Sequence, residues 1–351
     1  MNDHLMEHHQ TSGNQRLSQV DALRGLAALA VVLFHFTTRF VELYQPDYTP
    51  IFAVPYGYFG VNLFFIVSGF VIFMTLERTE QPMDFVVSRF SRLFPSYWVA
   101  IILTFVVTHW LGLPGKLVGF ETALTNFLMV HSIFGVPHVD GVYWTLEVEM
   151  LFYMGMFSLY RLGRLHQILP VLLGLLALRL LYVVMAKLFG IDLPWIAFRL
   201  LILQYIPWFT LGICTYQLSA HKQTTGRTFT LITGGAALLT LLVSESPAVA
   251  GLALVFALLV YAATLGRLTV LNARLFLWLG AISYPLYLLH ENIGWSVQLQ
   301  ALAHGTPFMV AAALALVVSL TAATALTRWV EQPAMRWIRT RYRERKRTSP
   351  A

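Results

Sequence analysis

Long runs of apolar residues, separated by short polar segments, dominate the hydropathy pattern of this chain. Ten runs are long enough to cross the hydrocarbon core of a bilayer as α-helices, which satisfy their own backbone hydrogen bonds. They cover approximately residues 22–40, 59–76, 93–111, 142–160, 168–189, 197–218, 228–244, 247–265, 275–296 and 307–331. The pattern therefore predicts an all-α fold, a polytopic membrane helix bundle of about ten transmembrane helices.

A shorter apolar segment, residues 121–136, contains Asn126 and His131 and predicts a re-entrant or surface helix on the outer side. Lysine and arginine residues support this topology. Arg89 and Arg92 fall in one predicted inner loop and Arg161 in the next, whereas the outer loops hold few basic residues. By the positive-inside rule, both termini are expected in the cytoplasm.

Composition agrees with a membrane protein, because 57% of residues are hydrophobic and only 12% are charged. The sequence predicts a polar cytoplasmic tail at residues 1–20, a transmembrane domain at 21–335 and a basic cytoplasmic tail at 336–351. The net charge of +7 is concentrated in that last tail. We expect the tail to face anionic membrane lipids or solvent, and we expect no nucleic-acid partner.

Arg24 and His35 are ionisable residues in or beside the first apolar run. Placing such side chains in a membrane is energetically costly, so they indicate a functional or structural role. They are eleven residues apart, so a helix places both on one face, about 16 Å apart along its axis. Asp21 lies one turn before Arg24 and can pair with it. A neutral imidazole suits activation of a hydroxyl, and a guanidinium suits a phosphate. The alternative is a buried histidine bonded to a neighbouring helix.

Arg89 and Arg92 lie one helical turn apart, before the third apolar run, in the segment SRFSRLFPSYW. Pro95 in this segment allows a helix start or a kink. Taken alone, the two arginines indicate a positive anchor at the inner surface. Together with Arg24 on the same side, they indicate an anion site for a nucleotide-like donor.

Glu147 and Glu149 lie near the outer end of the fourth run. Glu149 and Tyr153 are four residues apart and share a helix face, whereas Glu147 points elsewhere, towards water or the loop. A carboxylate here can orient an imidazole, accept a proton from a hydroxyl or bind sugar hydroxyls. It can equally form a structural salt bridge.

Ser283, Tyr287 and His290 fall at i, i+4 and i+7 within the ninth run and form a polar stripe on one helix face. Such a stripe can hold helices together through hydrogen bonds, or it can line a substrate path. Glu291 follows near the outer end of the run.

Gly60 and Gly69 in the second run allow neighbouring helices to approach closely. Asn62 and Ser68 add polar groups to the same run. Packing is the default explanation for all four residues.

Five segments, in order along the chain, together resemble the membrane-bound acyltransferase 3 family of bacteria. They are DALRGLAALAVVLFHF, GVNLFFIVSGF, SRFSRLFPSYW, VYWTLEVEMLFY and ISYPLYLLH. They extend from Asp21 to His290, so the resemblance covers nearly the whole chain. The segment WTLEVEMLFY is most similar to the exopolysaccharide-modifying, ExoZ-like branch of the family.

The resemblance implies roles for particular residues. The family's arginine–histidine motif falls on Arg24 and His35, and its histidine is essential. The paired-arginine motif falls on Arg89 and Arg92, and the glutamate of the tryptophan–glutamate segment falls on Glu149. Family members transfer an acyl group from cytoplasmic acyl-CoA to a hydroxyl of a carbohydrate or of another extracytoplasmic acceptor, and the resemblance implies a location in the bacterial inner membrane. We therefore expect acetyl-CoA as co-substrate, no metal, and a polysaccharide or lipid-linked glycan as acceptor, with glycan-assembly proteins as further partners.

In the resulting hypothesis, the three arginines hold the phosphates of the donor at the inner side. His35 deprotonates the acceptor hydroxyl or briefly carries the acyl group, and Glu149 orients the acceptor or the histidine. Further candidates for contact with substrate or oxyanion are Ser283, Tyr287, His290, Ser68 and Tyr153. The rival classes are a proton-coupled membrane transporter and a non-catalytic membrane scaffold.

Overall fold

A computed structural model describes residues 2–45, 50–191, 194–220 and 226–348. Throughout these residues the regular secondary structure is helical, with no β-strand. The α-helices are α1 (Asn2–Phe34), α2 (Phe40–Tyr44), α3 (Gly60–Glu77), α4 (Pro82–Leu111), α5 (Phe120–Asn126), α6 (Trp144–Arg161), α7 (Ile168–Phe189), α8 (Trp195–Leu200), α9 (Ile206–Ala220), α10 (Arg227–Ser244), α11 (Pro247–Thr264), α12 (Arg274–Leu289), α13 (Glu291–Ala303), α14 (Phe308–Leu326) and α15 (Gln332–Thr348). Two π-helical turns, His35–Arg39 and Thr327–Glu331, join α1 to α2 and α14 to α15.

Seven helical segments in the described part of the chain are long and apolar enough to cross a membrane. They are Ser18–Tyr44, Gly57–Glu77, Pro82–Leu111, Leu165–Phe189, Arg227–Ser244, Pro247–Thr264 and Phe308–Arg347. The prediction of an all-α, multi-pass membrane bundle is confirmed. The cytoplasmic placement of the two termini and the division into tails and domain stay predictions.

The three remaining predicted runs are also helical, but each departs from a long apolar helix. α6 has 18 residues and carries two glutamates, and α9 has 15 residues. The ninth run is divided into α12 and α13 at His290. In the predicted surface segment 121–136, α5 has seven residues, so it is about 10 Å long and too short to span a bilayer.

The chain divides into two compact units. Unit 1 comprises residues up to Arg24, Val61–Pro82 and Val148–Leu277, and unit 2 comprises Gly25–Gly60, Met83–Glu147 and the residues from Trp278 onward.

Within unit 1, α10 packs against α7, α9 and α11, and α3 crosses α9 closely. The crossing depends on small residues: a Cβ at Gly69 would collide with the backbone of Phe209. The Phe209 ring is fully buried and stacks on Phe152 of α6, with ring centroids 4.0 Å apart. The predicted packing role of Gly69 is therefore confirmed.

Within unit 2, α13 packs against α14 and against the π turn at His35–Arg39. Gly60 lies against the carbonyl of Ala27 in α1, as its predicted packing role requires. Tyr284 of α12 donates a hydrogen bond to the carbonyl of Leu93 in α4, with 3.0 Å between the atoms. These contacts fix the two elements that carry the candidate site, namely the π turn and the junction between α12 and α13.

The basic segment at the end of the chain is part of a helix. α14, the second π turn and α15 form one continuous helical segment, Phe308–Arg347, of 40 residues. At 1.5 Å per residue it is about 60 Å long, twice the hydrocarbon thickness, so the basic half extends beyond the membrane. Residue 1 and residues 349–351 of the two predicted tails lie outside the described residues.

Candidate active site

His35 begins the π-helical turn that lies within the first candidate membrane span, between α1 and α2. A π turn inserts one extra residue into a helix and re-aims the side chains around it, and such turns are frequent at functional sites. Here α13 stabilises the turn. Trp295 Nε1 donates to the carbonyl of His35 at 3.0 Å, and Gln298 Nε2 donates to the carbonyl of Phe36 at 3.1 Å.

The imidazole of His35 lies between polar groups of α1 and of the α12–α13 junction. Its Nδ1 is 2.9 Å from the carbonyl oxygen of Val31 and 3.2 Å from Nε2 of His290. Its Nε2 is 3.5 Å from Oε2 of Glu291. Two histidines and a carboxylate, from elements far apart in sequence, therefore converge at one point in unit 2.

The partners of the rings assign the tautomers. His290 Nδ1 lies near the carbonyls of Tyr287 and Leu286, at 2.9 and 3.2 Å, so this nitrogen carries a proton. A neutral His290 ring with its proton on Nδ1 can only accept a hydrogen bond at Nε2. The proton of its contact with His35 must therefore be on Nδ1 of His35. The same arrangement leaves the lone pair of His35 on Nε2, facing Glu291. Because an unprotonated nitrogen and a carboxylate both accept hydrogen bonds, a proton shared between them satisfies this contact.

Glu291 connects this histidine pair to a cation. Its side chain is only 5% exposed, and Lys116 Nζ lies 3.7 Å from its Oε1. The ammonium group of Lys116 also lies over the Trp295 ring, 5.2 Å from the centroid. A buried carboxylate needs such partners because removing it from water is costly. The cluster formed by His35, His290, Glu291 and Lys116 is called the histidine cluster below.

The loop before α6 closes one side of the histidine cluster. Asp140 is fully buried and accepts hydrogen bonds from the backbone N–H groups of Val142 and Asn292, at 3.2 and 3.1 Å. Burial and the nearby charge of Glu291 raise the pKa of the Asp140 carboxyl well above its ordinary value. Gly141 lies against the Glu291 carboxylate, where any Cβ would collide with it. Glycine at this position lets the loop approach closely.

The predicted stripe on α12 is divided between two kinds of contact. His290 joins the histidine cluster. Tyr287 accepts a hydrogen bond from Thr145 Oγ1 at 2.9 Å and lies 3.3 Å from the carbonyl of Val142. Ser283 is buried and donates to the carbonyl of Gly280 in its own helix. Roles for Ser283 and Tyr287 in binding an oxyanion stay predictions.

Glu149 forms a second polar cluster, which lies in unit 1. Its Oε1 accepts hydrogen bonds from Ser68 Oγ at 2.6 Å and from the hydroxyl of Tyr153. The predicted sharing of a helix face by Glu149 and Tyr153 is confirmed by this contact. These three residues are called the Glu149 cluster. The predicted catalytic role of Glu149 stays a prediction.

Glu147, by contrast, is buried in unit 2 and accepts a hydrogen bond from Ser132 in the loop after α5. Of the two surroundings that the sequence allowed for Glu147, water or the loop, the structure therefore has the loop.

The three arginines predicted to bind phosphate lie on two helices. Arg24, on α1 in unit 1, pairs with Asp21, with 3.7 Å between nitrogen and oxygen, as the sequence predicted. Arg89 and Arg92, on α4 in unit 2, lie in the half of the helix before Pro95. Arg89 Nη2 lies 3.2 Å from Ser88 Oγ. The phosphate-binding role of all three stays a prediction.

Sequence reasoning missed two members of the histidine cluster. Glu291 was placed near a membrane surface without a role, although it directly follows His290 at the end of a polar stripe. Lys116 is one of the few basic residues in the predicted outer loops, and no role was predicted for it. Its isolation in those loops is the signal that could have singled it out.

The fold and the charged cluster inside it define a multi-pass membrane protein with a buried polar site. Residues 17–328 match the family described as an acyltransferase domain. The chain therefore belongs to the acyltransferase 3 family, which confirms the resemblance seen in the sequence.

Several curated proteins are similar to parts of this chain. Nodulation protein 10 of Rhizobium leguminosarum bv. viciae is 29% identical over 163 residues, which cover 41% of this chain and 44% of that protein. Acyltransferase MdmB of Streptomyces mycarofaciens is 28% identical over 157 residues, which cover 42% of this chain and 40% of that protein. Exopolysaccharide production protein ExoZ of Rhizobium meliloti (strain 1021) is 34% identical over 112 residues, which cover 28% of this chain and 32% of that protein. The chain thus spans less than half the length of these relatives, and no solved structure matches it significantly.

Proposed function

We propose that this chain is a membrane-bound O-acyltransferase that moves an acyl group, acetyl in the simplest case, from cytoplasmic acyl-CoA to a hydroxyl of a surface carbohydrate. The observation that carries the proposal is the histidine cluster, in which the Nε2 lone pair of His35 faces a carboxylate and a cation. Family membership and the resemblance to proteins named as acyltransferases support it. The resemblance to an exopolysaccharide production protein supports a carbohydrate acceptor.

In the proposed reaction, the proton shared between Glu291 and His35 Nε2 passes to solvent as the acceptor binds, and the acceptor hydroxyl then gives its own proton to that nitrogen. The hydroxyl oxygen attacks the thioester carbonyl, the C–O bond of the ester forms and the C–S bond breaks. The thiolate of CoA then takes the proton from the imidazolium. Glu291 stabilises the transient charge on His35, and His290 holds the ring in the tautomer that leaves Nε2 available.

Lys116 gives the site a positive charge next to the reacting groups. Negative charge develops on the carbonyl oxygen as the hydroxyl attacks, and a nearby ammonium group stabilises it. Glu149, with its Oε1 already bound by Ser68 and Tyr153, has a second oxygen that can accept a hydrogen bond from a sugar hydroxyl. We assign acceptor recognition to the Glu149 cluster and proton transfer to the histidine cluster.

The test replaces His35 with alanine and measures CoA release and acylation of the surface glycan with membranes from a deletion strain. We expect transfer to fall by about a thousandfold, because general-base catalysis contributes in that range. His109→Ala is the matched control. His109 makes the same kind of contact, from Nδ1 to the carbonyl four residues earlier, but it is exposed on α4. Full activity of a correctly inserted His35→Ala protein would exclude the mechanism.

A second measurement separates the enzyme from the transporter alternative. Proteoliposomes containing the purified chain should release CoA from acetyl-CoA only when an acceptor glycan is present, without accumulating a solute in their lumen. Proton-driven solute uptake without CoA release would favour transport. Family membership favours the enzyme.

A further inference from the structure

Two helices of unit 2 belong to helical segments that are longer than the hydrocarbon core is thick, and they contact each other. α4 has 30 residues and is about 45 Å long, which exceeds the roughly 30 Å of hydrocarbon. α15 continues the 40-residue helical segment that begins with α14. The first turns of α4 and the basic face of α15 line a half-open cavity of about 360 Å³. Its lining residues are Asp84, Val87, Ser88, Arg339, Tyr342, Arg343 and Lys346.

The cavity is built by one face of each helix. On α15, the lining residues Arg339, Tyr342, Arg343 and Lys346 fall at i, i+3, i+4 and i+7. Arg339 attaches α15 to α4, because its Nε donates to Ser91 Oγ at 3.1 Å. The lining residues of both helices thus belong to a fixed helix–helix contact.

The cavity carries an excess of positive charge. Among its seven lining residues, three are cationic and Asp84 is the one acid, already paired with Lys346 at 3.2 Å. The guanidinium of Arg339 is further crowded by those of Arg89, Arg92 and Arg343. Crowded guanidinium groups are stabilised by a bound phosphate.

We propose that this cavity binds the phosphorylated nucleotide end of the acyl donor, an adenosine 3′,5′-bisphosphate group, with α15 as a part of the donor site. The proposal rests on the proposed function. Arg339 and Arg343 supply planar groups for phosphate oxygens, and Tyr342 supplies an aromatic face on which a base can stack. The basic end of the chain then has a specific ligand, beyond the lipid or solvent contact expected from its sequence.

Distances along the helices connect this cavity to the histidine cluster. Tyr284 of α12 bonds to Leu93 of α4, and Tyr143, whose ring packs on Tyr97 of α4, bonds to Leu288. The later residue of α12 is thus linked to the later residue of α4, so the two helices run in the same direction here. On α4, Ser88 lies five residues before Leu93. On the other side of this contact, His290 lies six residues after Tyr284. Eleven residues correspond to about 16 Å along the axes, which an extended pantetheine arm can bridge.

The test measures binding of adenosine 3′,5′-bisphosphate to the full chain in phosphatidylcholine nanodiscs by calorimetry. We expect Arg343→Ala to weaken binding about tenfold, the loss expected for one charge-assisted phosphate contact. The Arg339→Ala, Arg343→Ala double variant should weaken binding further. Because Arg339 also holds α15 against α4, the single Arg343 variant keeps the test valid if the double variant misfolds. Arg345→Ala is the matched control, since Arg345 is an exposed cation on the same helix outside the cavity.

Three outcomes would overturn the proposal: no binding by the wild-type chain, equal affinity in Arg343→Ala, or an equal loss in Arg345→Ala. An anionic lipid headgroup offers the same phosphate chemistry. If phosphatidylglycerol nanodiscs abolish nucleotide binding, a headgroup occupies the cavity and the proposal fails. Acyl transfer from acetyl-CoA by the wild-type chain is measured in parallel. If it is lost in His35→Ala but Arg343→Ala binds the nucleotide normally, the proposed function stands and only the cavity proposal is wrong.

Discussion

The histidine cluster of unit 2 and the Glu149 cluster of unit 1 each place a glutamate among polar side chains, but the donors differ. Glu149 accepts hydrogen bonds from the neutral hydroxyls of Ser68 and Tyr153. Glu291 faces the imidazole of His35 and the ammonium group of Lys116. Hydroxyl donors hold a carboxylate in position, whereas a carboxylate beside an imidazole can stabilise the ring when it takes up a proton. We propose that this difference separates acceptor recognition at Glu149 from proton transfer at His35 and Glu291.

The largest effect that tests this separation is expected at Glu291. In Glu291→Gln, the amide keeps the shape of the side chain but cannot offset the charge of a protonated His35. We expect kcat to fall about a hundredfold, at the low end of general acid–base contributions, with the KM for acyl-CoA little changed. Steady-state kinetics of CoA release measures both. If Glu149→Gln lowers kcat as much as Glu291→Gln does, the assignment of different roles to the two clusters is wrong.

A smaller effect of a different kind is expected at Glu149. Glu149→Gln weakens the charge-assisted hydrogen bond proposed for a sugar hydroxyl. The KM for the acceptor should rise about tenfold while kcat stays close to that of the wild type. Varying the acceptor concentration at saturating acyl-CoA measures this change. An effect confined to kcat would indicate that Glu149 takes part in the chemical step.

The smallest effect is expected at Tyr153, which supplies one of the two hydrogen bonds to Glu149. Tyr153→Phe removes a hydroxyl worth about 1 kcal/mol, so the KM for the acceptor should rise about fivefold. Tyr160→Phe is the matched control on the same helix, because the hydroxyl of Tyr160 donates to the carbonyl of Thr79 and not to a carboxylate. Equal changes in the two variants would show that the Tyr153 hydroxyl serves only the packing of α6.

Local patterns predicted much of the fold and part of the site. Apolar runs predicted the membrane helices because a bilayer requires about twenty apolar residues for each span. Helical periodicity predicted the pairing of Asp21 with Arg24 and of Glu149 with Tyr153, since residues three or four apart share a face. Both contacts are local, and the structure contains both.

The contacts of His35 with His290 and Glu291 could not be predicted in the same way. His35 and His290 are 255 residues apart, and their contact depends on how α13 packs against the turn after α1. The π turn at His35 likewise depends on contacts with residues that are distant in the sequence. Side chains of α13 bind its carbonyls, and no spacing rule within LFHFTTRF indicates the extra residue.

By itself, then, the sequence determined that this chain is a membrane helix bundle, where the seven long apolar helices of the described residues lie and which polar residues are unusual among the predicted spans. Those properties depend on hydrophobicity and on a 3.6-residue repeat, both of which act over one helix. Only the tertiary structure decided that Glu291 and Lys116 join His35, and that α15 and α4 line a basic cavity. These arrangements depend on close packing between distant segments, which a one-dimensional pattern does not encode.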